Sequence, residues 1–360
     1  MSKNILEICL SPDLGGLELF MLNCYEQFQT KTKCFVIVQE DKKLDNYLEN
    51  EERSFLKRNK FFPIIPALKL AKFIDKNEID FIHFHWTKDI ATVVLAKVLS
   101  KRKPKIMQTR NMTMTRFKDD FYHRWLYKNV DIIHAVTYQV KEQIEKFIPS
   151  DICPHVEVVY MGTKEIEVDI AKVDFLKEKY GLENSFVVGI VGRIEEGKGQ
   201  YLVIEALAKL KDLDMKALVV GHTMDEEYLG SLKEKVKDLG LENRVVFTGF
   251  TKDVAEHMKL CDSVVLATVK ETFGLVVIEA MVNKSCMIAT SSGGPLEIID
   301  DGVDGMLFDR SSEELAKKLE LIYEDNNLRD TIAIAGYKKV KEMFDAEVQT
   351  NKLYKIIDAS

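Results

Sequence analysis

The chain has 360 residues, 46% hydrophobic and 30% charged, with a formal net charge of −7. That length suits about two domains. No 18-residue apolar run is present, so no transmembrane helix is expected, and the acidic balance argues against nucleic acid as the main partner.

Residues 5–10 read as a first strand, and Glu7 inside that apolar run argues against a signal peptide. Ser11-Pro-Asp-Leu-Gly15-Gly16-Leu-Glu18 follows. Paired glycines at a strand end let a ligand approach the backbone, and the amides of the next helix (17–29) can donate to it. Strand 34–38, helix 67–76 and strand 81–84 come next. His83-Phe84-His85-Trp86 ends the last of these, and alternation places both histidines on one face. Metal ligation would need a third ligand, and the spacing supplies none. His83 therefore reads as a hydrogen-bonded structural residue and His85 as a helper for an acceptor hydroxyl. After helix 90–99 and strand 105–109, a basic stretch stands out. Residues 101–128 hold nine Lys or Arg against two Asp, with Phe117, Phe121, Tyr122, Trp125 and Tyr127 interleaved. Such a segment suits an anionic membrane surface. The plainer alternative is a solvated helix with its aromatics packed inward. Strands 132–136 and 156–160 complete the first series.

Strand signals lapse and charge rises near 162–174. The rhythm then restarts with strands 186–191, 217–220, 245–247, 264–267 and 287–289, and helices such as 201–211 and 227–239. Two successive β-α series imply an α/β chain of two doubly wound, Rossmann-like domains. Gly192-Arg193-Ile-Glu-Glu-Gly197-Lys198-Gly199 follows the first strand of the second series. It nearly matches GxxxxGK[ST], so a P-loop NTPase is one alternative, but Gly199 replaces the magnesium-binding hydroxyl. Two cations at a glycine turn before a helix still suit phosphate. In Glu271-Thr-Phe273-Gly274-Leu275-Val-Val-Ile-Glu279, one carboxylate falls on a tight turn after a strand and one on the helix that follows. Both can accept sugar hydroxyls; the plainer alternative is two solvated acids at a helix start. Ser291-Ser-Gly293-Gly294-Pro295-Leu-Glu297 opens a short helix. Asp212-Leu-Asp214, in a helix-to-strand connection, is a poor metal site. After Leu315 the chain reads as helix, broken at Phe344-Asp345. The six cysteines (Cys9, Cys24, Cys34, Cys153, Cys261 and Cys286) lack CxxC spacing and lie mostly in apolar runs, which implies reduced thiols in the cytosol.

These motifs in this order resemble the family 4 retaining glycosyltransferases (group 1 type) of GT-B architecture. They are Gly15-Gly16, Gly192-Arg193 with Lys198-Gly199, Glu271 and Glu279 around Phe273-Gly274, and Gly293-Gly294-Pro295 with Glu297. The resemblance covers nearly the whole chain. It implies two Rossmann-like domains facing across a cleft. Residues 1–165 would bind the acceptor, 166–343 the nucleotide sugar, and 344–360 would form a helix returning to the N-terminal domain. Arg193 and Lys198 would hold the donor diphosphate and neutralise the leaving group. Glu279 would take the ribose hydroxyls. Glu271, with the backbone around Phe273, Gly274 and Leu275, would take the donor sugar. Gly15-Gly16 would approach the phosphates from the other domain. The family often has a histidine where Asn111 stands. An amide can hydrogen-bond a hydroxyl but cannot act as a base near neutral pH. Asn111 thus joins Glu271, Arg193 and Lys198 as a catalytic candidate, while leaving open a non-catalytic nucleotide-sugar-binding protein. His85 and Arg110 are the acceptor-side candidates. Asn283-Lys-Ser-Cys-Met287 replaces the family's Gly-x-Pro turn. The expectation is a cytoplasmic hexosyltransferase for bacterial surface polysaccharide or lipopolysaccharide, peripheral on the inner membrane face, using a UDP- or GDP-linked sugar and no metal or other cofactor.

Overall fold

Strands covered on both faces need apolar runs, and this chain supplies them twice. The computed structural model describes residues 3–48, 52–59, 63–223 and 225–360. They form two compact units, Met1–Gly162 with Ala346–Ser360, and Thr163–Asp345.

In the first unit the order is β1 (Ile5–Cys9), α1 (Gly16–Phe28), β2 (Cys34–Val38), α2 (Lys43–Tyr47), β3 (Ser54–Phe55), α3 (Ile64–Lys76), β4 (Phe81–Phe84), α4 (Ile90–Leu99), β5 (Lys105–Arg110), α5 (Phe121–Lys128), β6 (Ile132–Ala135), α6 (Tyr138–Phe147) and β7 (His155–Val158). The sheet is parallel, ordered β3-β2-β1-β4-β5-β6-β7. β1 and β4 are buried at every residue, including the polar Glu7 and His83.

The second unit runs α7 (Ile170–Tyr180), β8 (Phe186–Val191), α8 (Gln200–Lys209), β9 (Met215–Val220), α9 (Glu226–Asp238), β10 (Val245–Gly249), α10 (Val254–Lys259), β11 (Ser263–Leu266), α11 (Leu275–Val282), β12 (Cys286–Thr290), α12 (Pro295–Ile298), β13 (Met306–Phe308), α13 (Ser312–Glu324) and α14 (Asn326–Met343). Its parallel sheet is ordered β10-β9-β8-β11-β12-β13. Its core, including Val188, Val203, Leu207, Val265, Ile288 and Leu315, fills the layer between sheet and helices.

The final helix, α15 (Ala346–Ala359), belongs to the first unit. Leu353 and Ile357 are fully buried, Tyr354 packs on Phe28 with ring centroids 5.8 Å apart, and Lys3 Nζ donates to the Ile357 and Asp358 carbonyls at 2.7 Å each. The helical tail breaks once more than expected, at Asp325, whose carboxylate caps α14 by accepting from the Leu328 amide. β3 and β13 were not expected; at two and three residues they are too short to carry a period.

Candidate functional site

In the second unit the strand order reverses between β8 and β11, so the loops leaving these strands part and open a crevice at their carboxyl ends. The loop after β8 carries Arg193 and Lys198. It is tied on one side by the Ile194 amide donating to the His222 carbonyl, and on the other by the Val269 amide donating to Gly197, both at 2.9 Å. Buried Gln200 donates to the Arg193 carbonyl at 2.9 Å. Gly199 ends the loop at φ 76°, where a Cβ would lie 2.4 Å from the Ala267 carbonyl oxygen, so only glycine fits. Lys198 Nζ stands 3.5 Å from Glu271 Oε2, both side chains largely buried. Arg193 is half exposed and among the described residues pairs only with Glu195, at 3.3 Å.

Glu271 sits on the loop after β11. Its Oε1 accepts from the Thr272 amide at 3.2 Å, and its carbonyl accepts from the Gly294 amide at 3.0 Å. Phe273 is buried, and Gly274 caps α11 in the left-handed region at φ 100°. A Cβ on Gly294 would lie 2.2 Å from the Phe273 carbonyl oxygen and 2.4 Å from its Cα. The second glycine turn thus props the first. Gly294→Val should cost unit two about 3 kcal/mol by overpacking and shift the Glu271 turn. Urea unfolding with and without nucleotide measures both; a variant of native stability would show that this approach carries no weight.

Glu279 lies just over one turn into α11. It is half-buried, and among the described residues its carboxyl has no hydrogen-bond or ion-pair partner. Burial pushes it up to about 7. Two cations before a helix N-terminus, with two carboxylates on the adjoining strand end, can hold a diphosphate and hydroxyls together. One feature escaped the sequence reading. Phe250 lies just past β10, two-thirds exposed, with its ring 6.1 Å from that of His222 just past β9. An exposed aromatic at a strand end was the available signal; the pair offers a face to a planar ring.

In the first unit, Gly15 precedes α1 with an extended backbone, and a Cβ there would meet only Glu18 Oε2, at 3.6 Å. The unit's own packing therefore makes no use of a glycine at that position. Asn111 is half-buried, and its Oδ1 is enclosed without a partner among the described residues. Arg110 and His85, expected on the acceptor side, are internal. The Arg110 guanidinium donates to the Met112 and Thr113 carbonyls at 2.9 and 3.0 Å and to Thr87 Oγ1 at 3.3 Å, holding the following loop. His85 is fully buried, its Nε2 2.6 Å from Glu7 Oε2.

Glu7 also supplies the third group that the spacing of the two histidines did not reveal: its carboxylate and the His83 and His85 nitrogens lie within 4.8 Å of one another. They hold each other directly, His83 Nδ1 standing 2.9 Å from Glu7 Oε1. The chain continues from His83 Nε2 to Thr109 Oγ1 (2.6 Å), to His134 Nδ1 (2.9 Å), and from His134 Nε2 to the Val159 carbonyl (2.7 Å). That carbonyl fixes the polarity, because His134 Nε2 must donate to it. Burial holds His83 and His134 down to about 3 and His85 to about 4, so the rings are neutral. His134 Nδ1 then accepts from Thr109, which accepts from His83 Nε2, leaving His83 Nδ1 to accept from Glu7. Glu7 is therefore the protonated member, in line with burial pushing its carboxyl up.

Two family models match this chain: Glycosyl transferases group 1 over residues 172–339, and Glycosyl transferase 4-like over residues 7–138. Among curated relatives, human alpha-1,3/1,6-mannosyltransferase ALG2 is 29% identical over 215 residues, 56% of this chain and 52% of that protein. The N-acetyl-alpha-D-glucosaminyl L-malate synthase of Bacillus anthracis is 27% identical over 290 residues, 78% of this chain and 75% of that one. The lipopolysaccharide core biosynthesis glycosyltransferase LpsE of Rhizobium meliloti is 29% identical over 200 residues, 55% and 56%. The matched region spans about half the length of the human and rhizobial proteins. Among solved structures, Anabaena HepE in complex with UDP-glucose superposes with a TM-score of 0.86 at 23% identity over the whole of both chains. A glycosyltransferase from Rickettsia africae gives 0.88 at 22%, covering 99% of this chain and 98% of that one. At these identities the likeness is one of fold, GT-B in both units.

Proposed function

Because this chain belongs to the group 1 glycosyltransferases, we propose that it moves a hexose-type unit, with retention, from a UDP- or GDP-linked sugar to a glycan acceptor. A bacterial surface polysaccharide or lipopolysaccharide is the acceptor class that fits. The observation that supports this most directly is Lys198 paired with Glu271 beside a half-buried Glu279 with no partner among the described residues, all at the reversal of one sheet. Lys198 and Arg193 take the diphosphate and stabilise charge as the glycosidic bond breaks. Glu271 takes sugar hydroxyls, Glu279 takes the ribose, and the base stacks on Phe250. No step in this assignment calls for a metal. A thermal-shift screen of nucleotide sugars identifies the donor by mass action; no stabilisation by any of them would refute the proposal.

Glu279 gives this reading a pH signature. A ribose bound to the carboxylate favours its ionised form, so affinity should fall as pH drops below about 7 and level off above it. Glu279→Ala should weaken nucleotide binding roughly 10–100-fold, by loss of charge-assisted hydrogen bonds. Glu279→Gln should flatten the pH profile. It should also stabilise the empty protein above pH 7 by about 2 kcal/mol, since a carboxyl raised by burial costs stability as pH climbs from the unfolded value toward the folded one. Calorimetric titration from pH 6 to 8 reads the first two effects.

The membrane part of the proposal rests on a smaller surface than residues 101–128. Strand β5 divides that segment, putting residues 101–105 at its amino end and residues 112–124 past its carboxyl end, roughly 20 Å apart. Only the second part shows aromatics to solvent, with Phe121 87% and Phe117 64% exposed beside Arg116, while Leu126 and Tyr127 are buried. No helix among the described residues is long and apolar enough to cross a membrane. Flotation should recover the protein with anionic but not zwitterionic liposomes, and charge reversal at Arg116, Lys118 and Arg124 should abolish recovery. Equal recovery from both liposomes would remove this part.

A further inference from the structure

The first unit has its own strand-order reversal, between β1 and β4, and the groups at the carboxyl ends of those strands are bound together. Asp89, just past β4, is fully buried, and its Oδ2 accepts from the Leu10 amide just past β1 at 2.9 Å. Beside it Trp86 packs one side against the apolar cluster of Val36, Val38 and Leu44. Two cations lie over its indole ring, Arg58 at 4.8 Å and Lys88 at 5.0 Å from the centroid. Arg58 is largely buried and held in place. Its Nε and Nη2 lie 3.4 Å from the Lys88 carbonyl, and its Nε lies 3.8 Å from Asp89 Oδ1.

The two cations carry more positive charge than their one acidic neighbour, Asp89, can balance. Lys88 is exposed and has no ion pair among the described residues. The Asp89–Arg58 ion pair, at 3.8 Å, is longer than a hydrogen bond, and Asp89 Oδ1 has no hydrogen-bond partner among the described residues. Two positive groups thus lie over one aromatic ring, Arg58 held and Lys88 exposed, at the place where ligands of an open α/β sheet bind. A neutral sugar needs no such pair. A phosphate monoester or diphosphate does, because it carries up to two charges and offers several acceptor oxygens to an Arg fork and a Lys point charge.

We propose that Arg58, Lys88 and Trp86 form an acceptor subsite for a phosphate-bearing ligand, Arg58 and Lys88 binding the phosphoryl oxygens. This rests on the reading that the first unit receives the acceptor, and it adds the acceptor's charge. Asp89 is the counter-group. It is faced by Arg58, the Leu10 amide and the buried Cys9 thiol, and burial holds its carboxyl up at about 7. A phosphate on Arg58 favours the neutral acid, so binding should tighten as pH falls from 8 to 6.

The chain has two tryptophans, Trp86 and Trp125, so full-length Trp125→Phe protein reports Trp86 fluorescence alone. Glucose 1-phosphate should change that signal, and methyl glucoside should not. Arg58→Gln and the exposed-site Lys88→Gln should each weaken the response at least tenfold, whereas Asp89→Asn should keep it and remove its pH dependence. Vesicles of phosphatidylglycerol, compared with phosphatidylcholine, separate a lipid-borne phosphate from a soluble one. A response to the former that is lost in Arg58→Gln supports the same chemistry on a lipid. Equal affinity in both Gln variants, or an equal response to the neutral glycoside, overturns the subsite. So does a response lost in Lys198→Ala instead, because the ligand then sits in the second unit. Nucleotide-sugar binding is measured separately through Glu279→Ala, so failure of the donor reading would leave this result interpretable.

Discussion

Lys198→Ala should slow sugar transfer by roughly 10²–10³-fold, the usual loss when one preorganised charge is removed from a developing anion. Two effects add here. The departing nucleoside diphosphate loses a cation, and Glu271, 3.5 Å from that ammonium, is left as a largely buried carboxylate with its ion pair gone. The same deletion should therefore also weaken nucleotide binding, since the freed carboxylate repels the diphosphate. Glu271→Ala alone should chiefly slow transfer, by loosening the donor sugar. The double variant then separates the two effects: it should bind nucleotide more tightly than Lys198→Ala, because the repelling charge has gone. A double-mutant cycle on nucleotide affinity reads this coupling. Strict additivity, or a Lys198→Ala enzyme within threefold of the parent, would remove Lys198 from the role assigned to it.

Acid should unfold the first unit before the second. His83, His85 and His134 stay neutral in the fold down to about 3 or 4, whereas unfolded histidine titrates near 6.5. Between pH 6.5 and 4 the unfolded chain thus takes up three protons that the folded chain refuses, and stability falls as pH falls. Glu7 works the other way, because its raised carboxyl keeps in the fold a proton that the unfolded chain releases above the ordinary carboxyl value of 4.5. Asp89, held up at about 7, opposes the histidines as well, so three groups against two leave a smaller net loss of stability between pH 7 and pH 5. Both tryptophans lie in the first unit, so urea unfolding followed by their fluorescence isolates it. His85→Gln should reduce the pH slope by removing one of the three. Thr109→Val should destabilise at every pH, since it leaves a His83 donor and a His134 acceptor unpaired in the core. A urea midpoint unchanged from pH 7 to pH 5 would contradict the proton assignment.

The donor-side groups could be read from sequence because they are local. A strand end, a glycine turn and a helix start fall within ten residues of one another, so Arg193, Lys198, Glu271 and Glu279 show themselves by position. The two alternating series likewise gave both sheets. What stayed hidden was what the fold brings together from afar. Glu7 and His83 are 76 positions apart and Thr109 and His134 are 25 apart, so no spacing rule joins them. The available signal was a polar residue within each of several apolar strands, which must find a partner once buried. Read that way, His85 would not have been offered to an acceptor, nor Arg110, whose guanidinium closes the loop behind it. Arg58 was missed for the same reason: its neighbour Trp86 lies on the far side of α3. The 101–128 segment misled by treating charge along the chain as charge on one face, although a strand runs through its middle.

The assignment of α15 to the first unit has a consequence for biosynthesis. The buried faces of Phe28 on α1 and of Leu353 and Ile357 on α15 complete each other, yet all of Thr163–Asp345 is translated between them. The second unit is one continuous stretch and can close as soon as it has cleared the ribosome. The first, although started earlier, must wait with an apolar helix face uncovered until its last helix arrives. The nascent chain therefore finishes its halves in the reverse of the order in which it begins them, and that interval is when it most needs a chaperone.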